Sequence, residues 1–351
     1  MKKISVILPC KNEEQTIGIC ITKIQQVLKG KNYEIIVSDS STDKSAEIAK
    51  KLGVLVIKHN KIGYGNAYLE GFKVARGNII IMGDSDNTYD FLEIPKLLNE
   101  IKKCDLVLGR RKFIEKGAMP VMHRYIGSPI LSFISRLFFG TKIKDINTGF
   151  RAIRKESLKK LNLKTTGMEF ASEMIIQAIK NGLRINEIPI HYYKRKGESK
   201  LRTFHDGWRH LRFMLLYSPL FLFLIPGLIF FLAGFIFLIY LSFNSSNFYY
   251  SFLSSLSVIL GYQLVIFSLF AKTYAINHLG DKPIFESFYR YVSIESASIS
   301  GFLIILMGAL FSFLSLLENK LNLIISFTFF IIGIQTIFSS FMLSILGIKK
   351  K

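Results

Sequence analysis

At 351 residues the chain has room for two domains of ordinary size, and 50% hydrophobic residues with a mean hydropathy of +0.33 are too apolar for a wholly soluble protein. The net charge of +21 suits phosphate-bearing ligands and an anionic membrane face. Nucleic acid would be attracted too, but no helix-turn-helix pattern or zinc-finger spacing accompanies the charge, and no nucleic-acid partner is expected.

Charge and apolarity occupy different parts of the chain. Only seven of the 46 Lys and Arg lie beyond Arg212, and only four of the 25 acids. The first apolar run, Ile4 to Leu8, follows Met1-Lys2-Lys3 and is stopped by Pro9 and a charged stretch, so it reads as a β-strand and not as a targeting segment. Cys10, Cys20 and Cys104 form no CxxC pair and no even set, which predicts free thiols in a reducing compartment.

β-rich runs recur at 4–10, 33–39, 54–57, 78–82 and 105–109, the first two each followed by a helical pattern. That alternation predicts an α/β fold with a largely parallel sheet and ligands at the carboxyl ends of the strands. Three polar motifs sit at such ends: Pro9-Cys10-Lys11-Asn12-Glu13-Glu14, Ser38-Asp39-Ser40-Ser41-Thr42-Asp43 and Gly83-Asp84-Ser85-Asp86. In the third, two carboxylates at alternate positions beyond the apolar run 78–82 offer hard oxygen ligands to Mg²⁺ or Mn²⁺.

Before the apolar half, Trp208, Leu211 and Leu215 recur at helical spacing with His205, Arg209 and Arg212 opposite. This pattern over 203–219 fits a helix in the headgroup plane or a packing helix between domains, and the two readings are compatible. Windows at Leu220–Phe243, Phe252–Ala275, Ser298–Leu317 and Leu323–Ile345 are each long and apolar enough to cross a bilayer. The first connection, Asn244 to Ser251, has no Lys or Arg, and its Asn244-Ser245-Ser246 sequon reads as a plain turn. The second holds Lys272, Lys282 and Arg290, and the tail ends in three Lys. The expected organisation is an integral, multi-pass protein with a cytoplasmic catalytic domain over 1–202, an interfacial helix over 203–219 and a four-helix transmembrane domain over 220–351. Both termini are expected in the cytoplasm, with a second interfacial segment near 276–293.

In order and spacing, these elements resemble family 2 glycosyltransferases with the glycosyltransferase A fold. The particular branch is the one that charges polyprenyl phosphates, such as dolichyl phosphate mannose or glucose synthases. Pro9, Asn12 and Glu13 match the family's PxxNE opening, which implies a role at the nucleobase; Asn12 could instead cap the following helix. Asp39 matches the second acid of DDGSxD and is implied at the base and ribose, although Ser38 and Ser40 replace the first Asp and the Gly. Gly65, within Gly63-Tyr64-Gly65-Asn66-Ala67, matches a GxGxA stretch that opens a helix beneath the nucleotide, and its glycines could equally mark a turn. Asp84, Ser85 and Asp86 are implied at the nucleotide sugar, with Asp84, Asp86 and Thr88 around the metal, Thr88 standing where relatives often have Gln.

The resemblance further implies Arg110, Arg111 and Arg124 at the acceptor phosphate, together with Lys194, Arg195, Ser199 and Lys200 of an RxxGxSK-like element whose Arg falls at Lys194. Asp145 and Arg151, in a DxxxGFR-like stretch, could reach sugar or phosphate or form an internal ion pair. Glu169 and Glu173 could lie beside the sugar or be a structural pair.

The implied reaction is inverting transfer of a hexose from UDP-glucose or GDP-mannose to dolichyl or polyprenyl phosphate. Asp86, Arg110 and Arg124 carry the charge compensation, and the acceptor, already an anion, requires no general base. The alternative is elongation of a lipid-linked glycan, whose synthases commonly carry a QxxRW-like element absent from this sequence. No GxGxxG follows the first strand, which argues against a nicotinamide-binding domain. The stretches 86–90 and 167–174 are similar to glucosyl-type relatives, and homo-oligomerisation is compatible with the chain.

Overall fold

The computed structural model describes residues 3–197, 203–243, 248–279, 294–315 and 320–347. These form two compact units, Met1–Met214 and Leu215–Lys351.

The first unit alternates strand and helix: β1 (Ile4–Cys10), α1 (Ile17–Leu28), β2 (Tyr33–Asp39), α2 (Ser45–Lys51), β3 (Leu55–Lys58), α3 (Tyr64–Val74), β4 (Ile79–Met82) and α4 (Ile94–Glu100). There follow β5 (Leu106–Ile114), α5 (Ser128–Phe139), β6 (Arg151–Arg154), α6 (Lys155–Lys160), α7 (Phe170–Lys180), β7 (Ile185–Tyr192) and α8 (Thr203–Leu216). All five expected strands are present. β6 and β7 are additional, and both are rich in charged or polar residues, which hid them from a search for apolar runs.

The seven strands lie in the order β3-β2-β1-β4-β6-β5-β7. β6 alone runs antiparallel to its neighbours, β4 and β5. The carboxyl ends of β1, β2 and β4 therefore share one edge, where Cys10 pairs with Asp39 and Met82 with Ile7. α1 packs Ile17, Cys20, Ile21, Ile24 and Leu28, a three- and four-residue repeat, onto the core formed with Val6, Leu8, Ile35 and Val37. The three cysteines are free and buried. Burial pushes the Cys10 thiol up to about 11 and that of Cys20 to about 12, so neither is a ready nucleophile.

α8 forms where the amphipathic pattern put a helix, but its buried side is His210, Phe213 and Met214. His210 Nδ1 lies 2.7 Å from Ser172 Oγ on α7, a packing contact, while Trp208 stays exposed.

The second unit is helical: α9 (Ile225–Phe243), α10 (Phe248–Leu279), α11 (Ile294–Ser315) and α12 (Lys320–Gly347). It contains four candidate membrane spans, at Phe221–Leu241, Phe248–Asn277, Ile294–Leu314 and Leu321–Gly347. Helices in hydrocarbon associate through close backbone approach and polar pairs. Both occur here: a Cβ on Gly261 would sit 2.2 Å from Phe231 N, and Tyr262 Oη lies 2.5 Å from Thr336 Oγ1. Lys272, expected in a connection, is instead buried within α10. Residues 280–293 of the expected second interfacial segment lie outside the described residues.

Candidate active site

The Asp84-Ser85-Asp86 turn leaves β4 in the centre of the sheet. Asp84 Oδ1 accepts from Tyr64 Oη at 3.0 Å. Asp86 Oδ1 accepts from Thr88 Oγ1 at 2.6 Å and Thr88 N at 3.1 Å, which leaves Oδ2 turned to the cleft side. Burial, then the charge of Asp86, raises the Asp84 carboxyl to about 7. Ser85 turns its hydroxyl away from any ligand, donating to Pro9 O at 2.6 Å, while its own carbonyl accepts from Thr16 Oγ1 at 2.8 Å. It fastens β4 to β1 and so fixes where the aspartates emerge. Thr88 is buried, and its hydroxyl proton is committed to Asp86, so its place is that of a brace for the ligand carboxylate.

Arg195 closes this edge. The backbone beyond β7 is held to the Asp86–Tyr89 turn by Tyr193 N donating to Thr88 O at 2.8 Å. That bond carries the following residue but one over the aspartates: Arg195 Nη1 lies 3.1 Å from Asp86 Oδ2, and Nη2 pairs with Glu13 Oε1. Lys194, which occupies the motif's Arg position, is exposed, and its backbone N donates to Glu115. Of the two cations, Arg195 is the one that reaches the site. Ser199 and Lys200 lie outside the described residues.

At the carboxyl ends of β1 and β2, Asn12 takes φ 53°, a left-handed conformation that Asn tolerates better than most residues. Its Oδ1 accepts from Thr42 N at 2.9 Å and its backbone N donates to Ser41 Oγ at 2.8 Å. It therefore joins the loops after β1 and β2, and the helix-cap alternative falls away, since Thr16 precedes α1. Asp39 is fully buried. Its Oδ1 accepts from Ser41 N at 3.3 Å, and among the described residues Oδ2 has no partner. Gly65 opens α3 against the 165–167 segment, and a Cβ there would sit 2.3 Å from Thr165 O. Close approach, more than a turn, demands this glycine.

On the other side, Arg110, Arg111, Arg124, Arg136 and Lys144 line one cavity of about 400 Å³ with Asp145. Arg111 is not free to grip a ligand: Nε and Nη2 hold Asp145 at 2.8 and 2.7 Å, and its backbone N donates to the same carboxylate. Burial alone would raise Asp145, but the Arg111 guanidinium overrides it and holds the carboxyl below its ordinary value. Asp145 thus pairs with Arg111 and not with Arg151. Arg151 is buried and donates to the carbonyls of Thr148, Ala171 and Ile146, a structural role that removes it from sugar and phosphate. Glu173 is likewise structural, accepting from Lys164 N, Thr165 N and Thr165 Oγ1. Glu169 differs: among the described residues its buried Oε2 has no partner.

Sequence reasoning missed Tyr64, Arg136 and Lys144. Tyr64 sat unremarked between two glycines, although a tyrosine opening the helix beneath a DxD turn is a signal. Arg136 and Lys144 look like surface charge in sequence, and only the fold of α5 and of the loop that follows it brings them to the cavity.

A divalent cation fits the aspartate turn. Asp86 Oδ2 already faces a positive charge, and the two carboxylates repel each other without one. No third His, Cys, Asp or Glu converges with them among the described residues, which suits an ion completed by phosphate oxygens.

Sheet order, with the DxD turn at the end of the central β4, defines the fold as that of the glycosyltransferase A class. A family model for glycosyl transferase family 2 matches residues 5–162, and one for the family 2 C-terminal transmembrane region matches 269–347. The chain is 35% identical to the low-salt glycan biosynthesis hexosyltransferase Agl6 of Haloferax volcanii, over 98% of this chain and 89% of that protein. It is 34% identical to a dolichyl-phosphate hexose transferase of the same organism, over 58% of this chain and 89% of that one. Glucosyl-3-phosphoglycerate synthase from Mycobacterium tuberculosis, solved with Mn²⁺, UDP and glucosyl-3-phosphoglycerate, shares the fold, with a TM-score of 0.51 and 23% identity over 62% of this chain and 80% of that one. The chain belongs to glycosyl transferase family 2 and is a membrane glycosyltransferase.

Proposed function

We propose that the protein transfers a hexose from UDP-glucose or GDP-mannose to a dolichyl or polyprenyl phosphate with inversion at the anomeric carbon. The observation that carries this reading is the pairing, in one compact unit, of a DxD carboxylate edge with a cavity bearing five cationic side chains. A relative named as a dolichyl-phosphate hexose transferase supports the lipid acceptor.

The nucleoside lies across the β1 and β2 ends, where Asp39 Oδ2 offers an unfilled acceptor to a base or ribose donor. Asp84 and Asp86 would hold Mg²⁺ or Mn²⁺, which supplies charge neutralisation on the departing nucleoside diphosphate. Thr88 and Tyr64 hold the two carboxylates in place. Arg195, attached to Asp86 and Glu13, turns to the donor phosphates once they arrive. Arg110, Arg124, Arg136 and Lys144 bind and orient the acceptor phosphate. One of its oxygens forms the new bond to the anomeric carbon as the bond to the diphosphate breaks and the nucleotide leaves with that electron pair. The attacking oxygen is ionised, so the step needs alignment and charge compensation and no base. We place the catalytic unit and both termini in the cytoplasm, where nucleotide sugars are made.

The test is incubation of full-length protein in membranes with labelled UDP-glucose or GDP-mannose and polyprenyl phosphate, with and without Mn²⁺. Lipid-soluble label that requires polyprenyl phosphate and is lost in EDTA supports the proposal. Label that enters only a pre-glycosylated lipid supports glycan elongation instead.

A further inference from the structure

β7 ends the sheet, with β5 as its one neighbour among the described strands, and its other edge meets the segment that follows the aspartate turn. Three ties join the two. Tyr193 N donates to Thr88 O at 2.8 Å, Tyr192 bridges to Tyr89, and His191 N donates to Glu93 Oε2 at 3.0 Å. The third tie is doubled, since His191 Nδ1 lies 3.0 Å from Glu93 Oε1. Glu93 stands at the N-cap of α4, yet its side chain caps nothing there and reaches across to β7 instead. It is buried, and Lys96 Nζ donates to the same Oε1. Burial alone would raise this carboxyl, but the bonds from Lys96 and His191 hold it below its ordinary value, so the group that grips β7 is a carboxylate. The His191 ring also stacks on Phe113, with centroids 4.9 Å apart.

We propose that Glu93 is a positioning residue for Arg195: by fastening the end of β7 to the stretch that carries Asp86, it sets the course of residues 193–195 and so the place where the guanidinium meets Asp86. Asp86 and Glu93 belong to one short stretch of chain, so the tie makes the carboxylate turn and its cation one body. From His191 to Arg195 the backbone can reach about 14 Å when extended, ample room for the guanidinium to miss its partner. Without Glu93, only the Tyr193 bond and the Tyr89 bridge restrain that stretch, and isolated bonds at a sheet edge open readily. The Lys96 contact does not account for the burial of Glu93, because the Lys96 side chain is 53% exposed and such pairs contribute little. The inference goes beyond the proposed function and draws on it only for the cation at Asp84 and Asp86.

The experiment uses the full chain in nanodiscs and compares the parent with Glu93→Ala, Glu93→Gln and Lys96→Ala by amide hydrogen exchange. Exchange over 191–195 should be several-fold faster in Glu93→Ala and close to the parent in Lys96→Ala. Glu93→Gln keeps an acceptor oxygen for the His191 amide and should restore most of the protection. Should Glu93→Ala fail to fold, His191→Phe loses the ring bond, keeps an aromatic ring against Phe113, and should give the same change at smaller size. Unchanged exchange over 191–195 overturns the proposal, and so does faster exchange spread evenly over the strands of the catalytic unit, which is loss of stability and not of position. A second reading is Mn²⁺ binding without nucleotide, followed by electron paramagnetic resonance. Glu93→Ala should tighten it several-fold, as Arg195→Ala does, and the double variant should bind no tighter than Arg195→Ala alone; independent, additive effects overturn the proposal. A parent that binds no Mn²⁺ speaks against the cation site, and the exchange measurement then decides the role of Glu93 by itself.

Discussion

Arg195 Nη1 lies 3.1 Å from Asp86 Oδ2, so the charge on the β7 loop occupies the carboxylate oxygen best placed to bind a cation. With Glu13 as its second partner, the guanidinium neutralises an acidic edge that would otherwise repel itself. On the proposed reading, metal and donor binding release Arg195 from Asp86 and give it the diphosphate as its new partner. Replacing Arg195 by Ala should tighten Mn²⁺ binding in the absence of nucleotide, because a competitor is removed, and slow transfer by about 10²-fold, as loss of one charge-stabilising donor does elsewhere. Titration of Mn²⁺ by electron paramagnetic resonance reads the first effect; weaker Mn²⁺ binding in the variant would contradict this account.

Asp86 and Thr88 should separate in size. Asp86→Asn is expected to reduce transfer by 10²-fold or more, on the order of the loss of a main electrostatic contact. Thr88→Val removes one hydrogen bond to the same carboxylate, worth about 1.5 kcal/mol when the acceptor is charged, and should cost about tenfold. Transfer rates followed as Mn²⁺ is raised to saturation decide whether Thr88 is a brace, because added Mn²⁺ should recover part of the loss in the Thr88 variant and none in the Asp86 variant.

Neighbouring arginines at 110 and 111 should fail in different ways. Arg111→Ala strands the buried Asp145 carboxylate and should destabilise the catalytic unit by about 3–5 kcal/mol. Arg110→Ala should leave thermal unfolding near that of the parent and raise KM for the acceptor phosphate. A thermal-shift assay alongside acceptor titration distinguishes them, and equal loss of stability in both would refute the division.

The same ion pair sets an acid limit. Asp145 has a folded pKa below its unfolded value of about 3.9, so its contribution to stability is complete above that value and is lost as pH falls through the folded pKa. Chemical unfolding followed from pH 6 downward should show stability declining below about pH 4, and Asp145→Asn should start lower but decline less steeply.

Gly65→Ala places a methyl group 2.3 Å from Thr165 O, a backbone atom that cannot rotate away. Overpacking of this kind costs about 1–3 kcal/mol, and the displaced start of α3 should also weaken donor binding. Calorimetry with the nucleotide sugar should show a higher Kd than the parent; an unchanged Kd would detach this helix from the donor site.

The amino-acid sequence by itself determined what depends on local pattern. Alternating apolar runs specified β1 to β5, the absence of charge over long windows specified four helices long and apolar enough to cross a membrane, and two acids after a buried strand specified the carboxylate turn proposed to hold the cation. None of these depends on a distant residue. β6 and β7 escaped because their stability comes from neighbours in the sheet and not from their own side chains. Tertiary structure alone decided how charges were shared. Asp145 took Arg111 from across 34 residues of chain and left Arg151 to main-chain carbonyls, and Arg195 rather than Lys194 reached Asp86 because a bond from Tyr193 to Thr88 sets the direction of the loop. Partner choice among ionised groups is made by distance and burial, and residues far apart in sequence acquire both only when the chain folds.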